Sequence, residues 1–208
     1  MREKGRRAAT LPVSFFRQDV ITVARGLLGA SLVSRIAGEL TAGRVVEVEA
    51  YLGRTDPASH AYQLRRHAQN AAIYSEPGHW YVYRSYGMHW CANLVTGPAG
   101  EGAAVLLRAV EPQQGILQMR RRRGVEADRL LASGPGRLTA AFGMTSAENG
   151  MLMESSAVVL GEGEPVPGTL VLATPRIGIT KAAELPLRFV IRDSVWLSRR
   201  GPRPGQTG

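Results

Sequence analysis

Two glutamates and a tyrosine alternate with small apolar residues in one short segment of the chain. Glu47, Glu49 and Tyr51 are separated by Val48 and Ala50. A two-residue period predicts a β-strand that carries both carboxylates and the phenol on the same face. A strand face that simply meets solvent would show the same alternation. Glutamate is nevertheless a poor strand former, and two carboxylates on one face repel each other unless a function uses them.

A second segment combines aromatic and basic side chains. Thirteen residues of the chain are Phe, Trp or Tyr, and five of these fall in the segment from Trp80 to Trp90. Tyr81 and Tyr83 share one face of a predicted strand, and Tyr86 begins a predicted hairpin turn. Basic side chains are interleaved with them, namely His79, Arg84 and His89. Aromatic faces beside basic groups are typical of sites that stack nucleic-acid bases, although an aromatic core cluster is the alternative interpretation.

The charge of the chain favours a polyanionic partner. Its 208 residues contain 26 Lys and Arg against 17 Asp and Glu, a net charge of +9 with an isoelectric point near 10.5. Much of the excess lies at the two ends of the chain and in the run Arg120 to Arg123, whereas positions 138–175 contain no Lys or Arg. This polarised charge suits a protein with one side facing nucleic acid. Only Lys4 and Lys181 are lysines, so coding bias toward arginine is an alternative origin of the excess.

The remaining composition excludes several other classes of protein. With 44% hydrophobic and 21% charged residues, the chain is expected to fold rather than to stay disordered. Cys91 is its only cysteine, which excludes an intrachain disulfide and a cysteine-based zinc site. The four histidines lack the paired spacing of metal-binding motifs, so we expect no metal and no other cofactor. Because no apolar run reaches about 18 residues and no signal peptide is evident, we expect a soluble cytoplasmic protein.

Hydrophobic periodicity and turn residues predict more strands than helices. Helices are predicted at 15–28, 116–123 and 136–142. Strands are predicted at 31–36, 43–51, 80–83, 91–95, 103–110, 158–160, 169–173, 187–191 and 195–197. Several connections have hairpin length, which favours an α+β fold with a mixed or antiparallel sheet. The sequence has no Gly-rich phosphate-binding loop at a strand-to-helix junction. A nucleotide-binding fold with a parallel sheet is therefore not expected.

A series of motifs follows the chain in a definite order. It begins with Val-Glu-Val-Glu-Ala-Tyr-Leu-Gly at 46–53, Asp56 and His60, Pro-Gly at 77–78, Tyr-Val-Tyr at 81–83, and Tyr-Gly-Met-His-Trp-Cys at 86–91. It continues with Asn93, Leu-Leu-Arg-Ala-Val-Glu-Pro at 106–112, Ser-Gly-Pro-Gly-Arg-Leu at 133–138, Pro-Arg-Ile-Gly-Ile at 175–179 and Pro-Leu-Arg-Phe at 186–189. Together these motifs resemble the alkyladenine (3-methyladenine) DNA glycosylases of the animal-enzyme type, which have bacterial members. The chain departs from that family at 64–70, where a Thr-Pro-Arg-Asn type of segment is usual.

The resemblance implies a catalytic carboxylate. Glu49 would activate the water that cleaves the glycosidic bond of a damaged purine, and Arg108 would position Glu49 or the target phosphate. Glu47 and His89 are implied as supporting residues. Because the chain has only two lysines and neither is placed as a Schiff-base nucleophile, we expect a monofunctional enzyme that leaves an abasic site.

The resemblance also implies a pocket for a base rotated out of duplex DNA. Its walls would be Tyr51, His60 and Tyr83, and Asn93 would exclude bases that carry the 2-amino group of guanine. Tyr86, at the tip of the predicted hairpin, would enter the duplex and fill the gap left by the flipped nucleotide. Which lesion is preferred among 3-methyladenine, 7-methylguanine, hypoxanthine and ethenoadenine stays open.

The implied protein is a single glycosylase domain at 15–198, flanked by flexible basic tails at 1–14 and 199–208. A curved sheet with short helices would carry the inserting hairpin. We expect a monomer that binds double-stranded DNA with damaged purines in the bacterial nucleoid and does not bind membranes. Two alternatives remain open: a nucleic-acid-binding protein without catalysis, and an enzyme acting on a small glycoside or nucleoside.

Overall fold

One antiparallel sheet brings the two glutamates to the middle of the protein. The computed structural model describes residues 9–199, and within that range the α-helices are α1 (Val13–Phe16), α2 (Val20–Leu27), α3 (Ile116–Arg123) and α4 (Pro135–Phe142), besides several short 3-10 helices. The strands are β1 (Ser31–Ser34), β2 (Thr41–Tyr51), β3 (Trp80–Ser85), β4 (His89–Val95), β5 (Ala104–Gln114), β6 (Val158–Gly161), β7 (Val171–Thr174) and β8 (Arg188–Ile191). The predicted α+β class is confirmed, and of the two predicted kinds of sheet the antiparallel one is present.

Strand β2 is the central strand of this sheet. The main strand order is β3-β4-β5-β2-β1-β6, and β8 pairs with both β2 and β7. β2 pairs with β5 along almost its whole length, while its other edge is shared between β1 at the start and β8 at the end. Glu49 lies opposite Leu106 of β5 and Arg188 of β8. A carboxylate at this position is therefore enclosed by neighbouring strands on both sides.

Helices α2 and α4 pack against the sheet to form the larger hydrophobic core. Its largest fully buried side chains include Phe16, Leu27, Trp80, Leu107 and Phe142. The apolar stripe of α2 supplies four residues at helical spacing to this core. Full burial of a leucine side chain, such as that of Leu27, stabilises the fold by about 1.5–3 kcal/mol.

The predicted helix at 15–28 is in fact two helices. The chain leaves α1 after Phe16, and Asp19 then caps α2. Its carboxylate accepts hydrogen bonds from the N–H groups of Ile21 and Thr22, at 3.1 and 3.0 Å. An aspartate in this position satisfies N–H groups that have no partner inside the helix, so it favours a helix start rather than a helix interior.

The two ends of the described chain also differ from the prediction. Residues 195–197 form no strand, although Leu197 is buried. At the other end, Thr10 pairs with Gly161 and the Leu11 N–H donates to Leu160, so the predicted tail boundary at residue 14 lies inside the folded part. The rest of both predicted tails lies outside the described residues. Among residues 9–199, none of the helices has the length and apolarity needed to cross a membrane.

Candidate active site

The carboxylate of Glu49 is fully buried and accepts three hydrogen bonds. Oε1 accepts from the backbone N–H of Ile177 at 2.8 Å. Oε2 accepts from the hydroxyl of Tyr51 at 2.9 Å and from Nη1 of Arg108 at 3.2 Å. The solvent-facing interpretation of this strand face is therefore wrong, since Glu47 and Glu49 are both 0% exposed. Buried carboxylates need such donors, because burial without a partner is costly.

Glu47 is held even more completely than Glu49. It accepts from Nε of Arg108 at 2.9 Å and Nε of Arg188 at 2.8 Å, and from the backbone N–H and the hydroxyl of Ser198, both at 2.6 Å. Burial alone would raise the pKa of Glu47, but the hydrogen bonds and charges of these partners outweigh it and lower the pKa. Glu47 is therefore an ionised structural carboxylate, and Arg108 links it to Glu49.

A cavity of about 490 Å³ lies against this network. Tyr51, His60, Tyr83 and Asn93 all line it, so the structure brings the four predicted base-contacting residues together. The rings of His60 and Tyr83 meet edge to face, with centroids 4.5 Å apart. This volume is within the usual range for small-molecule pockets and suits a purine. Glu49 stands behind the wall, since its three donors line the cavity and it does not.

Hydrogen bonds fix the polar groups of the cavity. Nδ1 of His60 lies 2.7 Å from the hydroxyl of Tyr81, and Nδ2 of Asn93 donates to the carbonyl oxygen of Tyr81 at 3.0 Å. Burial, together with the nearby His67, lowers the pKa of His60, which is therefore neutral at pH 7. Burial, reinforced by Glu49, raises the pKa of Tyr51, so its hydroxyl stays protonated and donates to Glu49.

The β3–β4 hairpin ends beside this cavity with an exposed aromatic side chain. Tyr86 is 86% exposed and has a φ of +50°, and Gly87 follows with a φ of +68°. Two successive positive φ angles are typical of tight hairpin turns, and tyrosine adopts that region rarely. The alternative in which Tyr86 packs on the domain is therefore wrong. His89, predicted as a supporting residue, does not line the cavity; its ring lies against Gly136 of α4.

A buried ion pair that sequence reasoning missed supports the cavity from behind. Two nitrogens of Arg176 contact the two carboxylate oxygens of Asp56, at 2.5 and 2.9 Å, and both side chains are fully buried. Arg176 also donates to the Ala50 carbonyl oxygen at 3.1 Å, and its guanidinium lies 4.7 Å from the Tyr51 ring centroid. Arg176 directly precedes Ile177, so one side chain ties together two of the three segments that supply donors to Glu49, namely the end of β2 and the segment at 176–177.

Comparison with known proteins identifies the family. The sequence profile described as Methylpurine-DNA glycosylase (MPG) matches residues 14–195. The chain belongs to this family. It is 47% identical over 194 residues to a protein of Methanoculleus marisnigri, covering 92% of this chain and 100% of that one. It is 46% identical over 189 residues to a protein of Rhodopseudomonas palustris, covering 91% and 88%. Both relatives carry the name "Putative 3-methyladenine DNA glycosylase".

This methylpurine-DNA glycosylase family member is thus an enzyme, a DNA glycosylase. The segment at 64–70, where it departs from the expected pattern, has its own internal support. Buried Asn70 donates to the carbonyl oxygens of His60 and Arg65, both at 2.9 Å, and accepts from the His67 N–H at 2.9 Å. The guanidinium of Arg66 lies 3.9 Å from the Tyr74 ring centroid. Asn70 therefore fixes the loop beside His60.

The arginine run on α3 of this glycosylase is engaged within the fold. Arg120 pairs with Asp128, and Arg121 and Arg122 both pair with Glu39. Arg123 donates from Nε to a backbone carbonyl oxygen at 3.1 Å. All four arginines of the run therefore have partners inside the fold, whether carboxylates or backbone carbonyl oxygens. Within residues 9–199, no three His, Cys, Asp or Glu side chains cluster as a metal site would require.

Proposed function

We propose that this glycosylase removes alkylated or deaminated purines from duplex DNA with a water activated by Glu49, leaving an abasic site. One observation carries the proposal: a fully buried carboxylate with three donors stands directly behind an aromatic cavity that is large enough to hold a purine. The names of the relatives point to 3-methyladenine as one substrate. The substrate base would have to leave the duplex to reach this cavity, because its glycosidic bond is inaccessible inside the stack.

The cavity suits a damaged purine for two reasons. Alkylation at N3 or N7 gives the purine a positive charge, and aromatic walls favour a cation by roughly 0.5–2 kcal/mol. Tyr51 and Tyr83 would provide these walls, and the ring of His60, which meets Tyr83 edge to face, would add a third. That preference is modest, so exclusion of normal bases must contribute. Asn93, whose amide is fixed by its hydrogen bond, would exclude the 2-amino group of guanine.

The chemistry needs one carboxylate rather than a pair. Cleavage passes through an oxocarbenium-like state, in which Glu49 would orient and deprotonate a water and stabilise the positive charge. Glu47 is saturated with donors and ionised, so it cannot act as the acid that protonates a leaving group. An alkylated purine leaves as a neutral base and needs little acid assistance. Arg108 would keep Glu49 in place. Lys181, the one lysine among residues 9–199, does not line the cavity, which favours a monofunctional enzyme.

The test replaces Glu49 by glutamine and measures base release from duplexes that carry a single lesion. Separate duplexes contain 3-methyladenine, 7-methylguanine, hypoxanthine or ethenoadenine, and alkali then cleaves the abasic product. We expect Glu49→Gln to lose at least about 10²-fold in rate while duplex binding survives, because positioned general bases contribute 10²–10⁴. Glu148→Gln, a change at a buried glutamate outside the cavity, is the matched control. Base release by Glu49→Gln within about tenfold of wild type would contradict the proposal.

A further inference from the structure

The C-terminal segment of the described chain reaches the catalytic strand. We propose that residues 195–199 complete the active site, and that Ser198 is a positioning residue that acts on Glu49 through Glu47 and Arg108. The proposal rests on the catalytic role proposed for Glu49. It concerns a residue outside the part that the family profile matches, which ends at residue 195.

The segment is fixed in place although it forms no strand. Leu197 is buried in a small cluster with Val46 and Val190, next to the central strand. Its carbonyl oxygen accepts from Nη2 of Arg129 at 2.5 Å, and the carbonyl oxygen of the next but one residue, Arg199, accepts from Arg188 at 2.9 Å. These contacts on both sides hold residue 198 against the sheet.

Ser198 contacts Glu47 through both its backbone and its side chain. Its backbone N–H and its hydroxyl each donate to one carboxylate oxygen of Glu47, both at 2.6 Å. The same hydroxyl oxygen accepts from Nη2 of Arg108 at 3.4 Å. One serine therefore contacts both the carboxylate and the guanidinium.

Arg108 is thereby held at three points. Nε contacts Glu47, Nη1 contacts Glu49, and Nη2 contacts Ser198. A guanidinium is planar and rigid, so the direction of Nη1 toward Glu49 is set by the other two contacts. Loss of the Ser198 hydroxyl removes one contact directly and weakens the Glu47 contact as well. The expected consequence is a Glu49 whose donor is less well directed, with the cavity walls unchanged.

A pH profile separates this role from a purely structural one. The charged groups that face Glu47 are Arg108 from β5 and Arg188 from β8, and Arg108 also donates to Glu49. Ser198 adds two uncharged donors to Glu47. The Ser198 hydroxyl helps to lower the pKa of Glu47, so its removal raises that pKa. Glu47 then takes up a proton at a higher pH and releases Arg108 sooner. Base release should therefore begin to fall at a higher pH than in the wild type.

The experiment compares Ser198→Ala with the conservative Ser198→Thr and with Ser194→Ala, which alters a serine just before this segment whose hydroxyl bonds to the Trp196 N–H and not to Glu47. Two truncations accompany them: one ends after Leu197, and the control ends after Arg199. Single-turnover base release from a 3-methyladenine or hypoxanthine duplex is measured across pH, alongside duplex binding and thermal unfolding. We expect Ser198→Ala to lose about tenfold in rate, the size of one charge-assisted hydrogen bond, with unchanged duplex binding. The acid limb of its pH profile, where the rate falls at low pH, should lie at a higher pH than in the wild type.

The other variants should follow the same logic. Ser198→Thr should keep most of the rate because it retains the hydroxyl, and the truncation after Leu197 should lose more than Ser198→Ala. Both controls should match the wild type in single-turnover rate and in the pH at which that rate falls. A rate and acid limb of Ser198→Ala equal to those of Ser194→Ala would overturn the proposal. So would a loss of rate with an unmoved acid limb, which would indicate a structural role. If Glu49→Gln still releases bases at close to the wild-type rate, the proposed function is refuted. If Glu49→Gln is inactive but Ser198→Ala behaves like the wild type, only this inference is refuted.

Discussion

The buried pair of Asp56 and Arg176 allows a quantitative prediction. Asp56→Asn preserves the shape of the side chain but removes its charge, leaving a guanidinium in a fully buried site. Breaking a buried ion pair from one side costs about 3–5 kcal/mol. For a protein of this size each kcal/mol lowers the melting temperature by roughly 2–4 °C. We therefore expect Asp56→Asn to melt about 6–20 °C lower than the wild type.

An exposed ion pair in the same region provides the control. Arg54 and Glu101 are 2.8 Å apart, with side chains 54% and 38% exposed. Such pairs contribute about 0–1 kcal/mol, so Glu101→Gln should lower the melting temperature by at most about 4 °C. The assay is thermal unfolding followed by circular dichroism at pH 7. A shift for Asp56→Asn no larger than that for Glu101→Gln would refute the reasoning.

A double-variant cycle then tests the coupling itself. Arg176→Gln alone should also be strongly destabilising, because it leaves the Asp56 carboxylate buried without its partner. The double variant Asp56→Asn/Arg176→Gln should be more stable than the sum of the two single changes predicts, by about 0.5–3 kcal/mol. Additive losses would mean that the two side chains act independently. Base release, measured at a temperature well below the melting temperature of every variant, should fall in each of them, because Arg176 supports Tyr51 and Ile177.

Four further predictions follow from the same structure. Tyr86→Ser should weaken base release from paired duplexes by roughly 5- to 150-fold, equivalent to about 1–3 kcal/mol of lost stacking, and less where the lesion is mismatched; equal losses would remove Tyr86 from the mechanism. Duplex affinity should fall steeply with salt, and deletion of residues 1–8 and 200–208 should reduce that slope if the tails bind phosphates. EDTA should leave base release unchanged, because the histidines lack metal-binding spacing and Cys91 is the only cysteine. Glu47 and Asp56 have pKa values lowered from their ordinary 4.5 and 3.8, so their contribution to stability is present above those values and is lost as pH falls further, which pH-dependent melting can measure.

Local patterns in the sequence predicted the elements that depend on local forces. The bounds of α3 match the prediction, because glycines with positive φ lie at both of its ends. The hairpin turn at Tyr86 was predictable from the Tyr-Gly pair between two aromatic strands. The alternation at Glu47 and Glu49 correctly predicted a shared face, since both contact Arg108. The two-residue alternation could not show whether that face is exposed to water, because this depends on which strands lie beside β2.

Contacts between distant parts of the chain were not predictable in this way. Asp56 and Arg176 are 120 residues apart, and no local spacing connects them. The prediction of a strand at 195–197 was wrong because its apolar residues pack as side chains without pairing with a strand edge. Leu197 packs beside β2, while Ser198 bonds to a side chain instead of a strand edge. Side-chain hydrogen bonds of this kind leave no periodic trace in a sequence.

The backbone of Tyr86 has a consequence for how such an enzyme could search a genome. A tyrosine with a φ of +50° is strained by about 1–3 kcal/mol, and this strain is already present in the free protein. If Tyr86 is the side chain that enters the duplex, no loop has to reorganise at each encounter. The time spent on each normal nucleotide would then depend on base opening and not on a rearrangement of the loop. A short inspection time matters more for a repair enzyme than tight binding, because undamaged sites vastly outnumber lesions.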